Sequence, residues 1–343
     1  GAGYVGRRYG LQRGFEQWTE RSFASLDSAV WEVLDQLDDD LDRPFLLFLH
    51  TYSTHAPYLH PSTVPSLRDE EAAWPPESDP ERRRWLALGN TRLHRHLSLD
   101  LFRDLDDLIA AYDSTIRFVD TQLGILFEHL KQAGIYEEAV IIVTSDHGET
   151  FLERGPYLSH GYSFFEEEIR VPLLVRMPGG HERGRSDRLV NLNDVAALIL
   201  DVAGAQTRAT ISGTNPFATE AIHPVSFVRG GSAFTGGQFA RSRDWKLMTA
   251  IQHRGAKGMR TASELIPGFP LHEHVFEVRT DGLELSNLSE QPTRLPAEIW
   301  LMRQALGEID PPGQLSPRAA ERGLSQRDRE QLDALGYIER EKR

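Results

Sequence analysis

Cysteine is absent from all 343 residues. Disulfides, thiolate–metal sites and a cysteine nucleophile are thereby excluded within the chain. Also absent is any apolar run of the roughly 18 residues that a membrane-spanning helix needs,. No signal peptide opens the sequence, and Gly1-Ala2-Gly3-Tyr4 carries no initiator Met, so the chain is expected to begin in mid-protein. A basic excess is lacking as well. The net charge of -13 argues against a general attraction to nucleic acid or an acidic membrane,. No P-loop, HExxH, GxSxG or internal repeat occurs,.

What remains is an ordinary globular balance of 40% apolar and 26% charged residues,. The length suits one large α/β domain, or a domain with a smaller one beside it. The runs Asp38-Asp39-Asp40 and Arg82-Arg83-Arg84 oppose each other in sign and read as solvated loop charges,.

The stretch Ala139–Glu149, AVIIVTSDHGE, organises the rest. Its unbroken apolar start reads as a strand buried on both faces, as in a parallel sheet. In an open α/β sheet ligands bind beyond the carboxyl ends of the strands, and Asp146 and His147 stand at such an end. Carboxylate and imidazole side by side are two potential metal ligands. Gly148 is expected to let the backbone turn away sharply,. A second apolar run, Pro44–His50, ends in a polar loop that contains His55-Ala56-Pro57-Tyr58. Between the two runs, residues 104–133 carry an amphipathic helix, whole or broken in two. Its apolar stripe includes Leu108, Tyr112, Ile116, Leu126 and Leu130, with Gly134 as its stop,. A third apolar run covers 171–176.

TSDHGE after a hydrophobic strand resembles the sulfatases of the alkaline phosphatase superfamily. So do PFLLFLH followed by His-x-Pro-Tyr, and SHGYSFFEEEIRVPLLVRMPG at 159–179. The resemblance implies an α/β, alkaline-phosphatase-like sandwich. A mostly parallel central sheet would be flanked by helices and joined by a small C-terminal α+β subdomain with an antiparallel sheet. The expected division is 1–222 for the catalytic domain and 223–343 for the subdomain. The resemblance further implies that Asp146 and His147 bind a catalytic divalent cation. Ca²⁺ is the usual family metal, and a histidine ligand leaves Mn²⁺, Mg²⁺ or Zn²⁺ open. It places His55 near the bridging oxygen of a sulfate ester and His160 in contact with substrate.

Other residues read as structural. His50 is a strand-end histidine, and His94-x-His96 lacks further ligands for a metal site. Glu166–Glu168 and Arg170 suit helix-terminal ion pairs. Asn193 or Asp194 is expected to cap the helix within 190–204, Asp113 and Asp120 to be solvated, and Lys246 to lie exposed on its strand,. Residues 61–100 read as an irregular insertion over the active-site face.

In the family, a strand with paired Asp ligands and a Cys-x-Pro-x-Arg or Ser-x-Pro-x-Arg helix come first. Their Cys or Ser becomes the formylglycine nucleophile. Both are expected to lie outside this chain, an N-terminally incomplete copy that is inactive alone. The function expected of the complete protein is hydrolysis of a small-molecule or carbohydrate sulfate ester. Phosphonate or phosphate ester hydrolysis and a truncated non-catalytic paralogue are the alternatives. A periplasmic or secreted location would follow from a signal peptide in the missing part. The ester, the location and the oligomeric state are not set by the sequence.

Overall fold

The apolar stripe centred on residues 104–133 folds as one continuous helix. The computed structural model describes residues 6–20, 26–38, 43–59, 76–91, 94–155, 157–161, 163–180, 183–207, 211, 213–218, 228–231, 237–250, 273–291 and 294–307. Their contacts divide them into two units, the first from residues up to 140 with 177–179, the second from 141–176 with 180–307.

In the first unit, helix α1 (Leu26–Asp38) turns Val30 and Leu34 inward, as the i, i+4 spacing dictates,. Helix α2 (Pro80–Gly89) opens with Asp79, whose carboxylate accepts from the amides of Glu81 and Arg82, and with Pro80 at the first helical position,. Helix α3 (Leu105–Gln132) is capped by Asp104, which accepts from the Asp107 amide. Gly134, at φ +74°, follows its end. Leu108, Ala111, Thr115, Gln122, Leu126 and Leu130 form its buried side. Ile116, expected in that stripe, is exposed.

In the second unit, β1 (Ile141–Thr144) pairs with β4 (Leu173–Arg176), and β2 (Thr150–Phe151) with β3 (Leu158–Ser159). Helix α4 (Glu166–Ile169) precedes β4, and helix α5 (Leu192–Val202) follows it. The cap of α5 is Asn191, one turn before the expected Asp194, which instead closes a capping box by accepting from the Asn191 amide,. Strands β5 (Val228–Gly231), β6 (Gly237–Arg241), β7 (Lys246–Ala250) and β8 (His274–Phe276) form an antiparallel sheet in that order. Helix α6 (Ala297–Gly307) covers it, burying Ile299 and Met302 against Ala240, Leu247 and Val275. This is the small antiparallel sheet with a helix that the sequence led us to expect.

The expected parallel arrangement of runs 44–50, 139–145 and 171–176 is corrected. Among the described residues every strand pair is antiparallel. Thr144 pairs with Leu173, so residues 145–172 leave and re-enter the ribbon at the same end. A parallel pairing needs a crossover, usually a helix, that carries the chain back the length of the strand. Among the described residues of that excursion the one helix, α4, has four residues and rises about 6 Å,. The run 44–50 is not a strand among the described residues. Its Phe45, Leu46 and Phe48 are exposed, beside a cavity of about 600 Å³ lined by residues 13–20, one face of α1 and 43–51. Nor is β1 fully buried, since Ile141, Ile142 and Val143 are only half-buried.

Candidate functional site

β1 delivers Ser145, Asp146 and His147 from its carboxyl end. The Ser145 hydroxyl donates to the His147 carbonyl at 2.7 Å, and Asp146 Oδ1 accepts from the His147 amide at 3.0 Å, so the turn is held by its own side chains. Gly148 is required here, but not for the sharp turn expected of it. Its φ is not in the left-handed region. A Cβ at 148 would instead meet the Glu167 carbonyl oxygen at 2.0 Å.

His147 Nδ1 lies 2.7 Å from the Gly148 carbonyl. A carbonyl only accepts, so Nδ1 carries the proton and a neutral ring keeps its lone pair on Nε2. Metal-binding histidines characteristically tie down their other nitrogen in this way. Nε2 is 3.7 Å from Asp146 Oδ1, and the Asp146 side chain is largely exposed. The two donor atoms are therefore close enough to share one cation. No group of three or more His, Asp or Glu that could hold a metal occurs among the described residues. The donors suit a divalent cation but are two of the roughly 6–8 that Ca²⁺ takes.

His160 stacks on His147, with ring centroids 3.7 Å apart and planes 26° from parallel. Its Nδ1 donates to Glu149 Oε1 at 3.0 Å, and both side chains are buried. Burial pulls the His160 pKa down. The Glu149 hydrogen bond and charge, with the charges of Glu168 and Asp146, outweigh it and leave the pKa above the ordinary histidine value. A protonated His160 offers an Nε2–H donor, suited to an anionic oxygen.

Sequence reasoning gave no role to Glu149 and set Glu168 among ion pairs. The structure separates three consecutive glutamates. Glu166 pairs with Arg241 at 3.2 Å and Lys246 at 3.4 Å, and Glu167 pairs with Arg154 at 2.6 Å. Among the described residues, no Lys or Arg forms an ion pair with Glu168. It accepts from the hydroxyls of Ser163 and Thr150 and the amides of Gly161 and Ser163. Burial raises its pKa, against the pull of those hydrogen bonds. Lys246, expected at the surface, is fully buried between Glu284 and Glu166. Burial lowers its pKa, opposed by the two carboxylates.

His55 lies in the first unit, in a loop closed by its amide on the Tyr52 carbonyl at 2.9 Å. Its Nδ1 donates to the Ala56 carbonyl at 2.9 Å, which fixes the same tautomer as in His147. Tyr58 beyond it is buried edge-on against Tyr112 of α3. His94 is buried, with Nδ1 near the Thr91 hydroxyl and the Leu88 carbonyl.

The expectation that the Ser-x-Pro-x-Arg spacing is absent needs correction. It occurs once, as Ser78-Asp79-Pro80-Glu81-Arg82. There Asp79 caps α2, Ser78 is exposed, and the buried Arg82 donates to the carbonyls of Asp100, Phe102 and Arg103. That arginine is committed to backbone oxygens.

The sequence profile of the Sulfatase family matches residues 6–205. A choline-sulfatase from Rhizobium meliloti is 29% identical over 184 residues, 53% of this chain and 33% of that protein. Arylsulfatase K from Bos taurus is 30% identical over 201 residues, covering 54% and 34%. The chain spans about a third of the length of these curated relatives. Among solved structures, BT4656 in complex with its substrate D-glucosamine-2-N,6-O-disulfate superposes with a TM-score of 0.60 at 16% identity, over 84% of this chain and 69% of that one. The phosphonate monoester hydrolase of Silicibacter pomeroyi gives 0.54 at 20% identity, over 81% and 59%. At such identities the likeness is one of fold.

Proposed function

The chain belongs to the sulfatase family, and from that premise we propose that it supplies the cation-holding and ester-contacting residues of a sulfuric ester hydrolase. One observation carries the reading. Asp146 Oδ1 and His147 Nε2 sit 3.7 Å apart at the end of β1, with the other imidazole nitrogen committed to a carbonyl. A divalent cation held there, Ca²⁺ by family resemblance or Mn²⁺, Mg²⁺ or Zn²⁺ by its nitrogen ligand, supplies positive charge for the nonbridging oxygens of the ester. His160, stacked on the face of His147, is assigned to contact with the ester. His55 is assigned to the bridging oxygen, as donor or acid to the departing alcohol. The nucleophile of the complete protein would be a formylglycine, as the resemblance implies. The substrate class is a small-molecule or carbohydrate sulfate ester.

Two other readings have specific support. The phosphonate monoester hydrolase shares the fold, and a histidine donor suits a phosphonate oxygen as well as a sulfate one. The scarcity of ligands beyond Asp146 and His147 favours a non-catalytic paralogue.

Calorimetry with Ca²⁺, Mn²⁺ and Zn²⁺ separates these readings. Weak binding is expected, lost in Asp146→Ala, while nitrophenyl sulfate is not turned over by the 343-residue chain. Metal-dependent turnover that Asp146→Ala abolishes would restore a complete active site to this chain. If Ser78→Ala abolished it too, the nucleophile would be Ser78. In a family-length protein carrying these residues, faster hydrolysis of phosphonate monoesters than of sulfates would favour the second function. No metal binding at all would favour the paralogue.

A further inference from the structure

We propose that Glu168 is the positioning residue that holds His147 and His160 face to face. The two rings belong to segments paired by the β2–β3 ladder, which has two residue pairs, Thr150 with Ser159 and Phe151 with Leu158, and linked by the hydrogen bond from His160 Nδ1 to Glu149 Oε1. A ladder that short is marginal by itself. Glu168 ties the two segments together from outside it.

Its Oε2 accepts from the Gly161 amide at 2.7 Å and the Ser163 amide at 3.4 Å, which fixes the chain immediately after His160. Its Oε1 accepts from the Ser163 hydroxyl at 2.7 Å and the Thr150 hydroxyl at 3.2 Å, the latter at the head of β2. Its own main-chain carbonyl accepts from the Gly148 amide at 2.8 Å, directly after His147. Two carboxylate oxygens offer about four acceptor positions, and four donors meet them. The residue is 4% exposed, so none of these bonds competes with bulk water,.

The clamp is itself anchored. Glu166 and Glu167, the two residues before it, are held by Arg241, Lys246 and Arg154. The Glu166 amide donates to Glu284 Oε2 at 2.8 Å. Gly148 approaches the Glu167 carbonyl so closely that no side chain fits between them. The donors that Glu168 accepts from are amides and hydroxyls flanking the two rings, so its role is placement. The reading of His147 as metal ligand and His160 as ester donor gives that placement its purpose, and the inference rests on it for its consequence alone.

The test is heteronuclear NMR of the whole chain, with ¹³Cε1-labelled histidine. His147 and His160 are assigned by His147→Asn and His160→Asn. Stacked rings displace each other's Cε1–H resonances by ring current. Glu168→Ala should move both resonances toward those of exposed histidines. Glu168→Gln should restore them, since its carbonyl accepts from the amides and its NH₂ donates to the hydroxyls. Ile299→Ala, a core truncation in the four-stranded sheet, should destabilise the unit and leave both in place. If Glu168→Ala fails to fold, the double variant Thr150→Val/Ser163→Ala removes the hydroxyl donors and should displace the His160 resonance. Unmoved resonances in every Glu168 or donor variant overturn the proposal, as does an equal displacement in Ile299→Ala. Because the readout is not turnover, its failure leaves the sulfatase reading untouched. A failure of that reading in turn leaves the clamp standing.

Discussion

The Lys246 ammonium lies 2.6 Å from a Glu284 carboxylate oxygen, with both side chains at 0% exposure. The pair joins β7 to the turn after β8, and Glu284 holds a left-handed backbone, φ +52°, to reach it. Its deletion is the first prediction. Lys246→Met should destabilise the second unit by about 3–5 kcal/mol, because two buried carboxylates lose their shared cation. Lys246→Met/Glu284→Gln should cost less than the sum of the single changes. Urea unfolding of the four proteins gives the cycle, and strict additivity would mean that the pair is not coupled.

Gly148→Ala should cost about 1–3 kcal/mol through overpacking against the Glu167 carbonyl, and should separate β1 from α4,. Gly155→Ala is the control. That glycine has a positive φ but no atom within 4 Å of its missing Cβ, so its cost should be about 1 kcal/mol of backbone strain,. Equal effects would remove the close-approach argument.

Burial lowers the pKa of His94, with the Leu88 carbonyl opposing, so its folded value lies below the unfolded 6.5. Between those two values the unfolded chain binds more protons, and stability falls as the pH drops. The first unit should therefore lose stability on acidification below pH 6.5. His94→Asn should flatten that slope. Hydrogen exchange of the α2 amides across this range is the measurement, and an unchanged slope in His94→Asn would assign the effect to another group.

In a family-length protein carrying these residues, His55→Ala should reduce turnover of an alkyl or sugar sulfate by about 10²–10⁴-fold with metal binding intact. Nitrophenyl sulfate, whose leaving group needs little protonation, should suffer less. Equal losses on both substrates would remove the acid role, and loss of metal would make His55 a ligand.

The helix 105–132 and its Gly134 stop were legible because periodicity and glycine chemistry act locally. So was the C-terminal antiparallel sheet. Strand direction was not. An apolar run such as 141–144 announces a strand whatever lies beside it, while the direction of β4 depends on how residues 145–172 fold between the two strands. Glu149 and Glu168 were illegible for a related reason. A carboxylate's job depends on which donors the fold brings to it, and the donors to Glu168 come from 150, 161 and 163. Lys246 misled because propensity places lysine at the surface unless a carboxylate pair is waiting inside. The Asn287 carboxamide accepts from the Val275 and Ser289 amides and so ties β8 to the turn that follows it.

The exposed run Phe45–Phe48 has a colloidal consequence. It belongs to no helix or strand, and no backbone hydrogen bond forms from Phe45 to Leu49 among the described residues. Phenylalanine and leucine on an open backbone edge make a template for intermolecular stacking. Arg43 and Pro44 stand as gatekeepers at one end only,. Preparations of this chain should meet their solubility ceiling before their unfolding transition. Light scattering should register attraction between molecules that fades when Leu46 is replaced by lysine, a change at a side chain already 62% in solvent.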